Sequence, residues 1–163
     1  MRTIYLLRHA KSSWKNDELA DFERPLNGRG RKSCEVLGRY IKTNQLEFDL
    51  VVCSTAVRTR ETIDLVRQFA KLQTEVRYDE RIYEATASRL LEVVSQLEND
   101  RKHVMLVGHN PGMAEISYLL TGEQESFPTS CFAKLNLKIS KWSDALENRA
   151  TLEWIVRPKE LED

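Results

Sequence analysis

Near its start the chain reads Ile4-Tyr5-Leu6-Leu7-Arg8-His9-Ala10, an apolar run followed directly by an arginine and a histidine. Residues 4–7 are typical of a buried β-strand. In open α/β sheets ligands bind outside the carboxyl ends of the strands, which is where Arg8 and His9 would lie. A histidine can act as a nucleophile, and an adjacent guanidinium can hold an anion beside it. An isolated Arg-His pair is more often the solvated end of a strand, so an anion site needs support from later segments.

Two further apolar runs of the same kind follow at residues 50–53 and 104–107. Between and after them, apolar residues recur at helical spacing. The last third of the chain instead alternates apolar and polar residues over 131–139 and 152–156, which is the period of a strand with two unlike faces. This order predicts an α/β fold, with helices flanking a mainly parallel central sheet to which the last two strands are added as edge strands.

Polar and turn-forming residues indicate where the helices begin and end. Residues 10–30 are polar and punctuated by proline and glycine, which predicts a long loop before the first helix. Asn110 suits the N-cap of a later helix, Pro111 its first position, and Gly122 its C-terminal stop. From Pro158 onward we expect a frayed tail.

The composition indicates one soluble domain spanning residues 1–163, with 25 basic and 25 acidic residues and no formal net charge. This balance argues against binding to nucleic acid or to acidic membranes. Cys34, Cys53 and Cys131 are odd in number and widely spaced, so a disulfide framework or a zinc site is not expected. We find neither a signal peptide nor a transmembrane segment, and we expect a cytoplasmic monomer.

A second histidine and a second arginine follow the other buried strands. Gly108-His109 ends the run at 104–107, and Arg58 lies shortly after the run at 50–53. If the three strands are neighbours, Arg8, His9, Arg58 and His109 converge on one crevice. Burying two unpaired guanidiniums would be costly, but a phosphoryl group between them would pair with both.

These segments, in this order, resemble the signatures of the histidine phosphatase superfamily. The matching segments are Arg8-His9-Ala10, Ser54, Arg58-Thr59 and Gly108-His109-Asn110-Pro111-Gly112. The chain length, residues 24–30, and Ile82-Tyr83 with Ala85 resemble its short members, the SixA-type phosphohistidine phosphatases. The resemblance extends from residue 3 to about residue 138 and implies a three-layer, phosphoglycerate mutase-like fold.

The resemblance also implies a covalent mechanism. His9 would be the nucleophile that forms a phosphohistidine intermediate, while Arg8, Arg58 and His109 would bind the phosphoryl oxygens. No metal or other cofactor is implied, because the arginines supply the positive charge. The attacking nitrogen of His9 must be neutral, so its other ring nitrogen should donate to a backbone carbonyl or a similar acceptor.

The proton donor is left open. Alignment with the larger, mutase-like members places Glu80 in this role, but Glu84 is close enough to compete, and a protonated imidazole leaving group would need neither. Lys11 and Lys15 replace a glutamate and an asparagine of those members, which argues against a sugar-phosphate mutase. There are two interpretations of these lysines. They bind an acidic or phosphorylated protein surface, or they are simply solvated side chains of the loop.

The predicted function is therefore metal-independent hydrolysis of a phosphohistidine through phospho-His9. The predicted partner is a phosphorylated substrate, which would be a phosphohistidine protein. One alternative is a small-molecule phosphomonoesterase of the same superfamily. Another is a phosphate-binding adaptor without turnover, against which the intact set of Arg8, His9, Arg58 and His109 argues.

Overall fold

The structure is a computed structural model that describes residues 1–161. Its strands in this range are β1 (Arg2–Arg8), β2 (Leu50–Cys53), β3 (Val76–Tyr78), β4 (His103–Gly108), β5 (Phe132–Leu137) and β6 (Ala150–Val156). They form one six-stranded sheet in the order β3-β2-β4-β1-β5-β6 within the described range. The first four strands of this order are parallel, and β5 and β6 are antiparallel to their neighbours. The predicted mainly parallel sheet is confirmed.

Helices cover both faces of the sheet. The helices found in residues 1–161 are α1 (Gly28–Thr43), α2 (Val57–Ala70), α3 (Ala87–Ser95), α4 (Gly112–Thr121) and α5 (Pro158–Leu161). Successive residues of β1 point to opposite faces. Tyr5 and Leu7 pack in the core under α1 and α2, whereas Ile4 and Leu6 pack in the core under α3 and α4. A strand buried on both faces reads as a continuous apolar run, which explains the run at residues 4–7.

The register of the parallel strands brings their carboxyl ends together. Arg8 of β1 lies opposite Gly108 of β4, and Val107 lies opposite Cys53 of β2. The residues that follow each strand therefore emerge at one edge of the sheet. None of the helices in the described range is long and apolar enough to cross a membrane.

Three sequence predictions about element positions are wrong. β5 is an inner strand, because it pairs with β1 on one side and with β6 on the other. Helix α1 begins at Gly28 inside the predicted loop, since the Asn27 side chain caps it by accepting the Gly30 N–H at 2.8 Å. Helix α4 begins at Gly112, one residue later than predicted, with Pro111 at the N-cap position. Gly122, in contrast, ends α4 as predicted, with a φ of 76°.

Residues 158–161 of the predicted tail are helical. They form α5, and Pro158 is buried. The preceding Arg157 holds this segment, because it donates to the Ser126 carbonyl at 2.9 Å and forms ion pairs with Glu125 and Glu160. The last two residues of the predicted tail, 162 and 163, lie outside the described residues.

Candidate active site

His9 lies just beyond the end of β1, with its ring buried and its orientation fixed by the backbone. Its Nδ1 atom is 2.6 Å from the carbonyl oxygen of Ala10. A carbonyl can only accept, so Nδ1 carries the proton and Nε2 keeps its lone pair. This is the arrangement that the sequence analysis required of a nucleophilic histidine. The backbone of His9 is held on both sides, by the Gly108 carbonyl and by the Ser130 N–H, each at 3.0 Å.

His109 follows β4 and faces His9, with 5.3 Å between the ring centroids. Its Nε2 atom lies 2.8 Å from the hydroxyl oxygen of Ser54, which follows β2. The Nδ1 atom of His109 is buried and has no hydrogen-bond partner among residues 1–161. The three neighbouring strands thus each contribute one side chain to the same crevice.

Both histidines are neutral at pH 7. Burial, together with smaller contributions from the guanidiniums of Arg58 and Arg8, lowers the pKa of His9 to about 4. Burial likewise lowers the pKa of His109 to about 3, with added effects from His9 and Arg58. A neutral His9 has the free electron pair that nucleophilic attack requires.

Arg58, in the first turn of α2, lies beside His9. Its Nε–H donates to the His9 Nε2 atom at 3.4 Å. Arg8 approaches from β1, where its Nη1 donates to the Phe127 carbonyl at 3.1 Å. Its buried Nε has no partner in the described part of the chain. Two guanidiniums beside neutral imidazoles make a site that favours an anion. The structure therefore brings together all four residues expected to converge.

Asp21, which is not among the residues predicted from the sequence, joins several of the site's side chains. It lies in a 3₁₀ turn at Asp21–Glu23, inside the predicted loop. Its carbonyl accepts from Arg58 Nη1 at 2.7 Å, and its carboxylate accepts from Arg58 Nη2 at 3.0 Å, from Arg24 Nε at 3.2 Å and from the Tyr83 hydroxyl at 2.6 Å. An aspartate within a long polar loop gives no periodic signal from which this role could be predicted.

The same contacts keep Asp21 ionised. The hydrogen bond from Tyr83, followed by those from Arg58 and Arg24, lowers the pKa of Asp21 to about 2. The Tyr83 hydroxyl responds in the opposite direction, because burial and the Asp21 carboxylate raise its pKa to about 12. Asp21 therefore carries a negative charge at neutral pH, and Tyr83 remains protonated.

Glu80 and Glu84, the candidate proton donors, are both exposed. Glu80 begins a 3₁₀ turn, and Glu84 has a positive φ of 53°. Neither carboxylate has a hydrogen bond to the site residues described above. Tyr83, between them, is the residue of this segment that faces the site, with its ring 5.4 Å from that of His109.

A comparison with known proteins identifies the class. The family "Histidine phosphatase superfamily (branch 1)" matches residues 4–90. An uncharacterized protein from Mycobacterium leprae (strain TN) is 31% identical over 144 residues, which cover 80% of this chain and 87% of that protein.

Solved structures agree with this match. The SixA protein from Agrobacterium tumefaciens is 29% identical, with a TM-score of 0.84 over 96% of this chain and 98% of the other. The SixA protein from Nakamurella multipartitia is 26% identical, with a TM-score of 0.85 over 96% of each chain. The predicted phosphoglycerate mutase-like fold is confirmed. The fold and the family match are those of a phosphatase. The chain belongs to the histidine phosphatase superfamily, branch 1.

Proposed function

We propose that the protein is a SixA-type phosphohistidine phosphatase that works through a phospho-His9 intermediate. The observation that carries the proposal is the environment of His9: Nδ1 is fixed on the Ala10 carbonyl, and Nε2 faces Arg58. The similarity to two SixA proteins over almost the whole chain supports the assignment of the substrate class.

In the first step, His9 Nε2 attacks phosphorus, and the bond from phosphorus to the substrate's ring nitrogen breaks. A substrate imidazole that is protonated on its other nitrogen leaves as a neutral ring, so no separate acid is required. Arg8, Arg58 and His109 hold the phosphoryl oxygens as charge builds up on them. In the second step, water attacks the phosphorus of phospho-His9, which releases phosphate and restores the neutral ring.

Asp21 acts in this mechanism as a positioning residue. It binds two of the nitrogens of Arg58 and thereby directs Nε toward His9. It is unsuited to protonating a leaving group, because its pKa is about 2. Glu80 stays a candidate proton donor only for substrates with a poor leaving group, such as alkyl phosphate esters.

The proposal extends to the setting of the enzyme. We place residues 1–163 in one domain, supported by the single sheet with both faces covered in residues 1–161. We also propose that the protein is cytoplasmic and monomeric. Three buried cysteines that form no disulfide among the described residues are compatible with a reducing compartment.

The test is an assay in EDTA with two substrates, a phosphohistidine-bearing protein and an aryl phosphate. We expect the wild type to prefer the phosphohistidine substrate and His9→Ala to lose turnover of both. His103→Ala is the matched control, because His103 is exposed at the opposite end of β4.

Each component of the proposal has its own contrary outcome in this assay. Turnover of the aryl phosphate alone would assign the enzyme to small phosphomonoesters. Normal turnover by His9→Ala would contradict a nucleophilic His9. Loss of activity in EDTA that Mg²⁺ restores would contradict metal independence, which we propose because Arg8 and Arg58 supply the positive charge.

A further inference from the structure

A cleft of about 530 Å³ next to the anion site is lined by basic side chains. We call it the basic cleft; its charged side chains are Lys11, Arg29, Lys32, Arg157 and Lys159. Among residues 1–161, no acidic side chain lines it. Five basic side chains around one cleft are a marked local excess in a chain whose formal net charge is zero.

Much of this charge is not neutralised by the part of the chain that the structure describes. There Arg157 forms ion pairs with Glu125 and Glu160, which do not line the cleft, and Lys32 pairs with Glu35 alone, at 3.8 Å. Lys11 and Arg29 form no ion pair with any described residue, and both are exposed. Arg29 and Lys32 lie one turn apart on α1, and like charges at this spacing destabilise a helix. An anion bound in the cleft would relieve this repulsion.

Two of the segments that line the basic cleft adjoin the anion site. Lys11 is two residues from His9, so their Cα atoms are at most about 7 Å apart. On the other side, Pro128 and Thr129 line the cleft, and they belong to the loop that contacts the site. In that loop, the Phe127 carbonyl accepts a hydrogen bond from Arg8, and the Ser130 N–H donates one to the His9 carbonyl.

We propose that the basic cleft binds an acidic segment of a phosphorylated protein, whose Asp or Glu carboxylates pair with Lys11, Arg29 and Lys32. This proposal rests on the proposed function and names a feature of its substrate. A small phosphate ester at His9 would not extend into the cleft, whereas the chain flanking a phosphohistidine would. Lysine and arginine side chains on an exposed wall match the charge of such carboxylates.

The turnover test uses two peptides of equal length, each with one phosphohistidine, flanked by glutamates in one and by glutamines in the other. We expect the wild type to hydrolyse the glutamate peptide with a kcat/KM about five- to tenfold higher, the effect of two or three exposed charge pairs. Arg29→Gln/Lys32→Gln should lose this preference and keep its rate on an aryl phosphate. Arg39→Gln/Lys42→Gln, with the same charge change elsewhere on α1, should keep the preference.

A binding test separates the cleft from the chemistry. The glutamate peptide without a phosphoryl group should bind the wild type, which fluorescence anisotropy measures. The binding should be weaker at about 0.5 M salt than at about 0.05 M, because salt screens exposed charges. It should also be weaker for Arg29→Gln/Lys32→Gln than for the wild type. If this binding is found but no phosphohistidine is hydrolysed, the proposed function fails and the cleft stands. The proposal that an acidic segment occupies the cleft would be overturned by either of two results. One is equal binding of the unphosphorylated glutamate and glutamine peptides. The other is that Arg29→Gln/Lys32→Gln weakens the binding of tripolyphosphate but not that of the glutamate peptide.

Discussion

At the scale of single residues, the site depends on two histidines that stay neutral in a positively charged pocket. Burial is the main cause of the lowered pKa values of His9 and His109, and the guanidinium of Arg58 adds to it. The unprotonated form of each ring is therefore present throughout the physiological range, which keeps Nε2 of His9 available for attack.

This ionisation can be measured by NMR on the ligand-free protein. Because the pKa values of His9 and His109 are about 4 and about 3, their ring signals should show the neutral form from pH 8 down to pH 5. Signals are assigned by comparison with the His9→Ala and His109→Ala variants. A titration of either ring with a midpoint near the ordinary value of about 6.5 would contradict the burial argument.

Asp21→Asn tests whether Asp21 acts through Arg58. The amide removes the negative charge that holds the guanidinium, so we expect kcat on an aryl phosphate to fall about tenfold, the loss of about 1.4 kcal/mol. In an Arg58→Gln background the same change should have almost no further effect, because the residue it positions is already gone. Asp17→Asn, in the same loop, is the control and should keep the wild-type kcat.

The double variant also has an informative contrary result. If Asp21→Asn lowers kcat by the same factor with and without Arg58, the two residues act independently. Asp21 would then contact the reacting group itself, and its assignment as a positioning residue would be wrong.

At the scale of elements, the start of α1 supports the strand end that carries His9. The Asn27 N–H donates to the Lys11 carbonyl at 3.0 Å, and Gly30 packs against the same carbonyl. A Cβ at position 30 would overlap the Lys11 carbonyl oxygen, whereas a Cβ at Gly28 would meet nothing within 4 Å. The two glycines of the predicted loop therefore have different roles, and only Gly30 is required by close packing.

Gly30→Ala should destabilise the protein by about 1–3 kcal/mol, the usual cost of overpacking a closely packed position. Gly28→Ala in the same helix turn is the matched control, and its free energy of unfolding should stay equal or rise, because alanine favours the helix by up to about 1 kcal/mol. Urea unfolding of both variants measures the difference. Equal stabilities would show that the segment around Lys11 yields to a methyl group without cost.

At the scale of the whole molecule, burying two neutral histidines makes stability depend on pH. In the unfolded chain a histidine takes up a proton below about pH 6.5. In the folded protein His9 and His109 do so only near pH 4 and pH 3. Between these pH values the unfolded state therefore binds more protons than the folded state. The contribution of the two neutral histidines to stability is complete above pH 6.5 and is lost as the pH falls toward 4.

On going from pH 7 to pH 5, the two residues should lower the free energy of unfolding by about 4 kcal/mol. Denaturant unfolding at both pH values measures this change. His9→Ala should show roughly half of it, since one of the two buried rings is removed. A wild type equally stable at pH 7 and pH 5 would mean that the rings can be protonated in the folded state at little cost.

Much of the architecture follows from the sequence because short-range patterns encode it. The apolar runs at residues 4–7, 50–53 and 104–107 are continuous because these strands are buried on both faces. Their placement next to one another then puts Arg8, His9, Arg58 and His109 in one crevice. The place of β5 inside the sheet could not be predicted in this way, since an alternating pattern does not tell how many neighbours a strand has.

The α/β class, the strand ends that carry the histidines and the superfamily can all be predicted from the amino-acid sequence. The contact of Asp21 with Arg58, and the cleft lined by Lys11, Arg29 and Lys32, become visible only when the chain is folded. The difference lies in the range of the interactions. Strand and helix patterns arise from neighbours along the chain, whereas Asp21 and Arg58 are 37 positions apart and meet only because the loop folds back over α2.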